Sequence, residues 1–286
     1  MKRLIVNADD FGLSFEVNAG IMRARRDGIL RSASLMVAEP AARAAAELAR
    51  DDPELDVGLH VVVCRGRSLL GALRLGGAVR ASGEFIDRPV AAGMRYFFDR
   101  SMRAALTDEL RAQVERHLEL VGYLNHIDGH LNFHVHPVLA DILVNLAVEY
   151  KVPCIRLPRE RVMTTLRLRR DHAPRKLIES IIFRTLSRRT RRLMTERGLT
   201  STDWVFGLHQ SGHLSEDYVV GVIDRIRDGA TELYFHPAAD IGRVPPAAAA
   251  QLEVEILTSP RVREAIGRNG VELITFADLA RGNRAA

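Results

Sequence analysis

The sequence predicts an α/β protein whose parallel strands roll into a (β/α) barrel. Three observations carry this. Short β-rich apolar runs alternate with helix-patterned segments along most of the 286 residues, as expected for a parallel sheet covered by helices. Roughly seven such units occur without a Gly-rich dinucleotide turn, which favours a barrel over a Rossmann sheet. Acids and histidines recur where the strand-like runs end: Asp9 and Asp10, His60, the stretch from His126 to His130, His209 and His236. In a barrel those edges converge on one rim.

The first element is Arg3 to Gly12, RLIVNADDFG. Leu4, Ile5 and Val6 form an apolar run, and Asn7, Asp9 and Asp10 follow at once, so a buried strand delivers carboxylates to its C-terminal edge. The alternative is that the two acids cap the next helix. Ser14 can cap a helix to about Asp27 that Gly28 closes. Ser32 to Ala38 reads as a strand, and Pro40 opens an Ala-rich helix to about Arg50. Val57 to Val63 is a strand carrying His60. Arg65 to Pro89 is Gly-rich and weakly patterned, a long loop. Thr107 caps a helix with Leu110, Val114, Leu118 and Val121 on one face.

Asn125 to Pro137, NHIDGHLNFHVHP, holds four of the ten histidines, a density that marks it for chemistry. Pro137 starts a helix to about Tyr150. Cys154 to Leu157 and Val205 to Leu208 are strands, and the second leads into His209 and His213. Glu216 to Asp228 is helical, Glu232 to Phe235 is a strand ending in His236-Pro237, helices lie near Gln251 and Arg263, and Val271 to Thr275 is the last strand. No linker, repeat or composition shift divides the chain, so residues 1–286 are expected to form one domain.

Hydrophobic content of 47% suffices for a sizeable core. Cys64 and Cys154 lie in or beside apolar strands without CxxC spacing, as buried thiols of a cytoplasmic protein do. The N-terminus lacks the pattern of a signal peptide, and no run of about 18 apolar residues predicts a spanning helix. Charge is concentrated: residues 156–197 carry fourteen Lys/Arg against four Asp/Glu, while the rest carries 27 against 32. Within that segment, residues 176–194 pattern as a basic amphipathic helix, either an outer barrel helix or a peripheral contact with an anionic membrane face. Nucleic acid is not expected as a partner, because no aromatic platform or reader motif accompanies the charge.

One carboxylate and two imidazoles suffice to hold a divalent metal with open positions for water. A second carboxylate can then take a proton and a remote histidine can give one. The residues alone do not say which acid binds metal.

NADDFG, VGLH at His60, IDGH before the His-rich turn and FHPA at His236 together resemble the YdjC-type carbohydrate deacetylases, in order from residue 3 to about residue 280. The resemblance is nearest to the hopanoid-associated HpnK branch. It implies a distorted TIM-like barrel and removal of acetyl from an N-acetylated sugar, with an N-acetylglucosaminyl hopanoid or related glycolipid as substrate. It also implies one divalent ion, Zn2+ or Mg2+, on Asp10, His60 and His130, with Asp9 as general base and His236 as general acid. The run DGHLNFHVH is two residues longer than the compact form of many members, so His134 and His136 either line the substrate or serve the loop. His209 and His213 are further substrate-lining candidates. Two other readings stay open: a metal hydrolase acting on a phosphoester, and an inactive, membrane-associated barrel that binds without turnover.

Overall fold

The computed structural model describes residues 1–244 and 246–284; residues 285–286 of the expected domain lie outside the described residues. Eight strands form its sheet: β1 (Lys2–Phe11), β2 (Ser32–Leu35), β3 (Asp56–Val61), β4 (His126–Gly129), β5 (Cys154–Ile155), β6 (Trp204–Phe206), β7 (Gly229–Phe235) and β8 (Glu272–Leu273). Every pairing is parallel, in the order β5-β4-β3-β2-β1-β7-β6. β8 pairs with Arg3 and Leu4 of β1, and β2 takes over the same edge from Asn7 onward. The sheet curls into a TIM-like barrel with an incomplete seam. Across it, Ile155 N–H donates to the Thr200 carbonyl at 3.0 Å and Val205 N–H to the Arg159 carbonyl at 3.1 Å.

Between the strands run α1 (Phe15–Asp27), α2 (Ala42–Asp51), α3 (Gly71–Leu75), α4 (Pro89–Phe98), α5 (Met102–Val121), α6 (Pro137–Glu149), α7 (Val162–Leu168), α8 (Ala173–Glu196), α9 (Glu216–Ile223), α10 (Ala248–Thr258), α11 (Pro260–Arg268) and α12 (Phe276–Arg284). Leu4, Ile5 and Val6 are fully buried, because helices cover one side of the sheet and the barrel interior lies on the other. Three expectations need correction. Thr107 does not cap a helix: α5 begins at Met102, and the Thr107 hydroxyl donates to the Arg103 carbonyl inside it. Residues 65–89 are not simply a loop, since they contain α3, a 3-10 turn and antiparallel bridges from Arg67 to Glu84 and Val79 to Phe85. The Ala-rich helix starts at Ala42 rather than at Pro40.

Asp9 and Asp10 lie inside β1, and Ser14 caps α1 by accepting from Val17 N–H. The cap reading of the two acids therefore falls. Ala8 pairs with Ala33 but Phe11 with Leu35, so β1 holds one more residue than β2 across this interval. Asp10 sits at φ 64 within this bulge, a left-handed conformation that aspartate tolerates better than most residues. Bulges of this kind re-aim a side chain. Here the bulge lets two consecutive carboxylates serve one rim, where a regular pleat would send them to opposite faces.

Gly20 allows α1 to touch the segment after β7. A Cβ there would stand 2.6 Å from the Ala238 Cα. Gly20→Ala is expected to push this segment, with His236, away from α1 and to cost about 1–3 kcal/mol by denaturant unfolding. An unchanged unfolding midpoint would contradict the close packing.

Candidate active site

The C-terminal ends of β1, β3 and β4 bring Asp10, His60 and His130 together. Asp10 Oδ1 lies 3.3 Å from His60 Nε2 and 3.0 Å from His130 Nδ1. One ligand atom from each residue falls within 4.8 Å of the others. His60 can present Nε2 because its Nδ1–H donates to Asp128 Oδ1 at 2.7 Å, which fixes both ring and tautomer as carboxylate partners of metal-bound histidines do. Burial opposes the charge on Asp10, yet His130 and His60 hold its carboxyl well below the usual carboxylate range. Burial would likewise lower the His60 imidazole, but Asp128, Asp9 and Asp10 raise it to about 10. The carboxylates of Asp9, Asp10 and Asp128 around His60 favour positive charge at this place, and the donor set fits zinc or magnesium. Asp9, His60 and Asp128 form a second such cluster, but Arg156 already engages both of its carboxylates.

Arg156, just past the C-terminal end of β5, is a buried hub of polar contacts. Its Nη1 and Nη2 each donate to Asp9 at 2.7 Å, and its Nε donates to Glu232 Oε1 at 2.7 Å. Nη2 also lies 2.8 Å from Asp128 Oδ2. Burial alone would lower the guanidinium, yet Asp128, Asp9 and Glu232 raise it well above its ordinary value. Asn7 Nδ2 adds a bond to Asp9 Oδ1 at 2.9 Å, and Ser34 donates to Asp128 at 2.7 Å. Sequence reasoning missed Arg156, Asp128 and Glu232. Asp128 stood within IDGH, whereas the other two looked like ordinary charged residues beside strands.

Burial lifts the Glu232 carboxyl to about 7, with Arg156 pulling the other way. A carboxyl raised on folding binds more protons in the folded state, so its contribution to stability falls as pH rises from about 4.5 through 7. Glu232→Gln is expected to flatten this part of the stability–pH curve, with a relative gain on the order of 1–3 kcal/mol above pH 7. Denaturant midpoints measured from pH 4.5 to 8 check this, and parallel wild-type and variant curves would contradict it.

His236 follows β7 at the cleft rim, 31% exposed, with Nε2 4.0 Å from Asp9 Oδ2. Its backbone N–H donates to the buried Glu253 carboxylate, and its ring stands edge-on to Tyr234. Asp9, His60, His130 and His236 share a cleft of about 430 Å3 with Asn132, Tyr234 and residues of α8. His209 and His213 line the same cleft. His209 is buried with neither ring nitrogen hydrogen-bonded, and its Nδ1 lies 3.6 Å from Glu179 Oε2. His134 and His136 do not line it. His134 is fully buried, bonded through Nε2 to the Arg156 carbonyl, and burial lowers its imidazole to about 4. His136 bonds the Gly93 carbonyl and packs among Tyr96, Phe97 and Phe133. The longer turn explains this correction. Leu131 and Asn132 adopt left-handed backbone at φ 54 and 57, which carries the chain away from the rim after His130.

The sequence profile of the family described as YdjC-like protein matches residues 3–268. The chain belongs to this family. A carbohydrate deacetylase of Geobacillus stearothermophilus is 34% identical over 280 residues, covering 96% of both chains. One from Brevibacillus brevis is 30% identical across 97% of this YdjC-like chain and 99% of its own. A Vibrio cholerae carbohydrate deacetylase is 40% identical over 53% of this chain and 57% of its own. A solved structure from Enterococcus faecalis V583, a candidate cellobiose-phosphate cleavage protein, superposes with TM-score 0.77 over 97% of this chain and 98% of that one. Its sequence identity is 23%, so the likeness bears on the YdjC-like fold alone.

Proposed function

We propose that this YdjC-like chain is a metal-dependent carbohydrate deacetylase that hydrolyses the acetamide C–N bond of an N-acetylated amino sugar. The chief support is the Asp10–His60–His130 cluster, whose two histidines line one cleft with Asp9 and His236. The two full-length carbohydrate deacetylase relatives support the substrate class. Asp10, His60 and His130 would hold the ion, which when bound supplies Lewis-acid polarisation of the acetyl carbonyl and acidifies a water. Asp9 takes the proton of the attacking water. Its Oδ1 accepts from Arg156 and Asn7, while Oδ2 accepts from Arg156 and keeps a lone pair. The water oxygen bonds to the acetyl carbon first, and His236 then protonates the amine nitrogen as the C–N bond breaks. The products are acetate and a free amino sugar. His209 and His213 contact the sugar from the α8 side of the cleft.

The finer reading is an N-acetylglucosaminyl hopanoid or related glycolipid met at the inner face of a membrane. Its support is the resemblance to the HpnK branch and the outer face of α8, where Ile178, Ile181 and Ile182 are 60%, 67% and 50% exposed. Lys176, Glu179 and Phe183 of the same helix line the cleft. Among the described residues no helix is long and apolar enough to cross a membrane, so the contact would be peripheral. Flotation with phosphatidylglycerol vesicles tests it, and Ile178→Asp/Ile181→Asp is expected to abolish binding. The activity is tested by acetate release from N-acetylglucosamine conjugates, with phosphate release from phosphoesters measured alongside. Phosphate without acetate would favour the phosphoester reading, and vesicle binding without metal or turnover would favour the inactive barrel.

A further inference from the structure

Beside the cleft lies a second cavity of about 470 Å3, and Phe183, Leu208 and His209 line both. Three elements place six arginines on its wall: Arg159 and Arg161 just before α7 with Arg167 in its last turn, Arg184 and Arg188 on α8, and Arg227 before β7. Among the described residues none of the six forms an ion pair. The arginine and lysine ion pairs of α8 go elsewhere, from Arg175 to Glu179, Lys176 to Asp171 and Arg189 to Asp141, and Glu179 also faces His209 on the shared wall. Glu160 also lines the wall, but the Thr165 and Tyr218 hydroxyls and the His209 N–H already donate to its carboxylate. Arg159 and Arg161 both stack on Trp204, with guanidinium carbons 5.2 and 5.4 Å from the ring centre. Burial and the neighbouring arginines lower both guanidinium groups, although Asp203 opposes this at Arg159. The like charges therefore repel one another with little compensation.

We infer that this cavity is an anion site for a diphosphate group, and that the substrate is an N-acetylated glycoconjugate carrying that diphosphate. Arginine forks match phosphoryl oxygens in pairs. The terminal oxygens of one tetrahedral phosphate cannot engage six guanidinium groups spread over three elements. Two phosphoryl groups in series present more oxygens over a greater length. The shared wall lets one ligand place its acetamido sugar in the cleft and its diphosphate among the arginines. The sugar end rests on the deacetylase reading, whereas the anion site does not. A nucleoside diphosphate sugar and a lipid diphosphate sugar offer the same recognised chemistry.

Titration calorimetry with inorganic pyrophosphate and phosphate tests the site without turnover. One pyrophosphate is expected to bind per chain, about tenfold or more tighter than phosphate. Arg184→Glu/Arg188→Glu is expected to weaken it about tenfold or more. Both residues are exposed on α8, and an unchanged melting temperature verifies the fold. Arg192→Glu, outside the cavity, is expected to leave binding unaltered. Absent pyrophosphate binding, equal binding of phosphate, or indifference to the charge reversal would overturn the assignment. Acetate release is then compared among a uridine diphosphate sugar, a short-chain lipid diphosphate sugar and free N-acetylglucosamine. Faster release from either diphosphate conjugate supports the substrate class and identifies its source. Pyrophosphate binding with no such preference overturns the substrate class and leaves the anion site standing. Acetate from none of them overturns the deacetylase reading instead.

Discussion

Purified His130→Ala protein is expected to lose its near-stoichiometric divalent metal and to release acetate on the order of a thousandfold more slowly than wild type. His130 supplies Nδ1 at 3.0 Å from Asp10 Oδ1, so its removal leaves two ligands where the proposed site has three. The side chain is only 13% exposed, so a melting temperature measured on the same samples separates loss of the ligand from loss of packing. Elemental analysis and acetate release on the same samples check the result. Full metal content together with full activity in the variant would sink the ligand assignment. A wild type that stays metal-free and inactive after loading with zinc or magnesium would point to a binding protein.

Arg156 carries the second large effect. Arg156→Met leaves Asp9, Asp128 and Glu232 as buried carboxylates without their shared cation, at a cost of about 3–5 kcal/mol. That is a large share of a typical domain's stability, so poor expression or a sharply lowered melting temperature is expected. Arg156→Lys keeps the charge and the fold better, but an ammonium cannot reproduce the paired donation to Asp9 at 2.7 Å on both oxygens. Its kcat is expected to fall about 10–100-fold, by analogy with lost outer partners of metal ligands, with KM and metal content near wild type. That split separates a positioning role from a structural one. A lysine variant with wild-type kcat would show that Asp9 needs no clamp, and one that loses metal would place Arg156 in support of the ligand set instead.

Much of this architecture was legible because local chemistry and tertiary demand agree. The run LIV before NADD read as a buried strand delivering acids to its end, with a helix cap as the alternative, and Ser14 could cap the helix that follows. Pro137 could open a helix but not continue one. The misreadings fall where those demands diverge. Thr107 has the composition of a cap, yet α5 passes through it because packing extends the helix to Met102. His134 and His136 sit in the densest histidine stretch, yet two left-handed residues after His130 redirect the backbone. Asparagine enters the left-handed region readily, but a left-handed leucine has no local signal, because the surrounding packing imposes it. The basic segment showed its charge but not its use. Helical periodicity could separate the isoleucine face from the arginine face, but it could not show that Arg184 and Arg188 meet Arg159, Arg161 and Arg227 across a cavity.

What this sequence determined unaided is the order of the parts: parallel strands alternating with helices, and chemistry at the strand ends. These follow from hydrophobic period and from the residue types that interrupt it, which are properties of neighbours along the chain. Tertiary structure alone decided which polar groups meet. Asp9 and Asp10 are adjacent, yet the β-bulge sends one to Arg156 and the other to two histidines. Arg156 and Glu232, 76 positions apart, become one buried ion pair. A charge leaves water only where the fold supplies its partner, and partners that distant along the chain are brought together by strand order and barrel curvature.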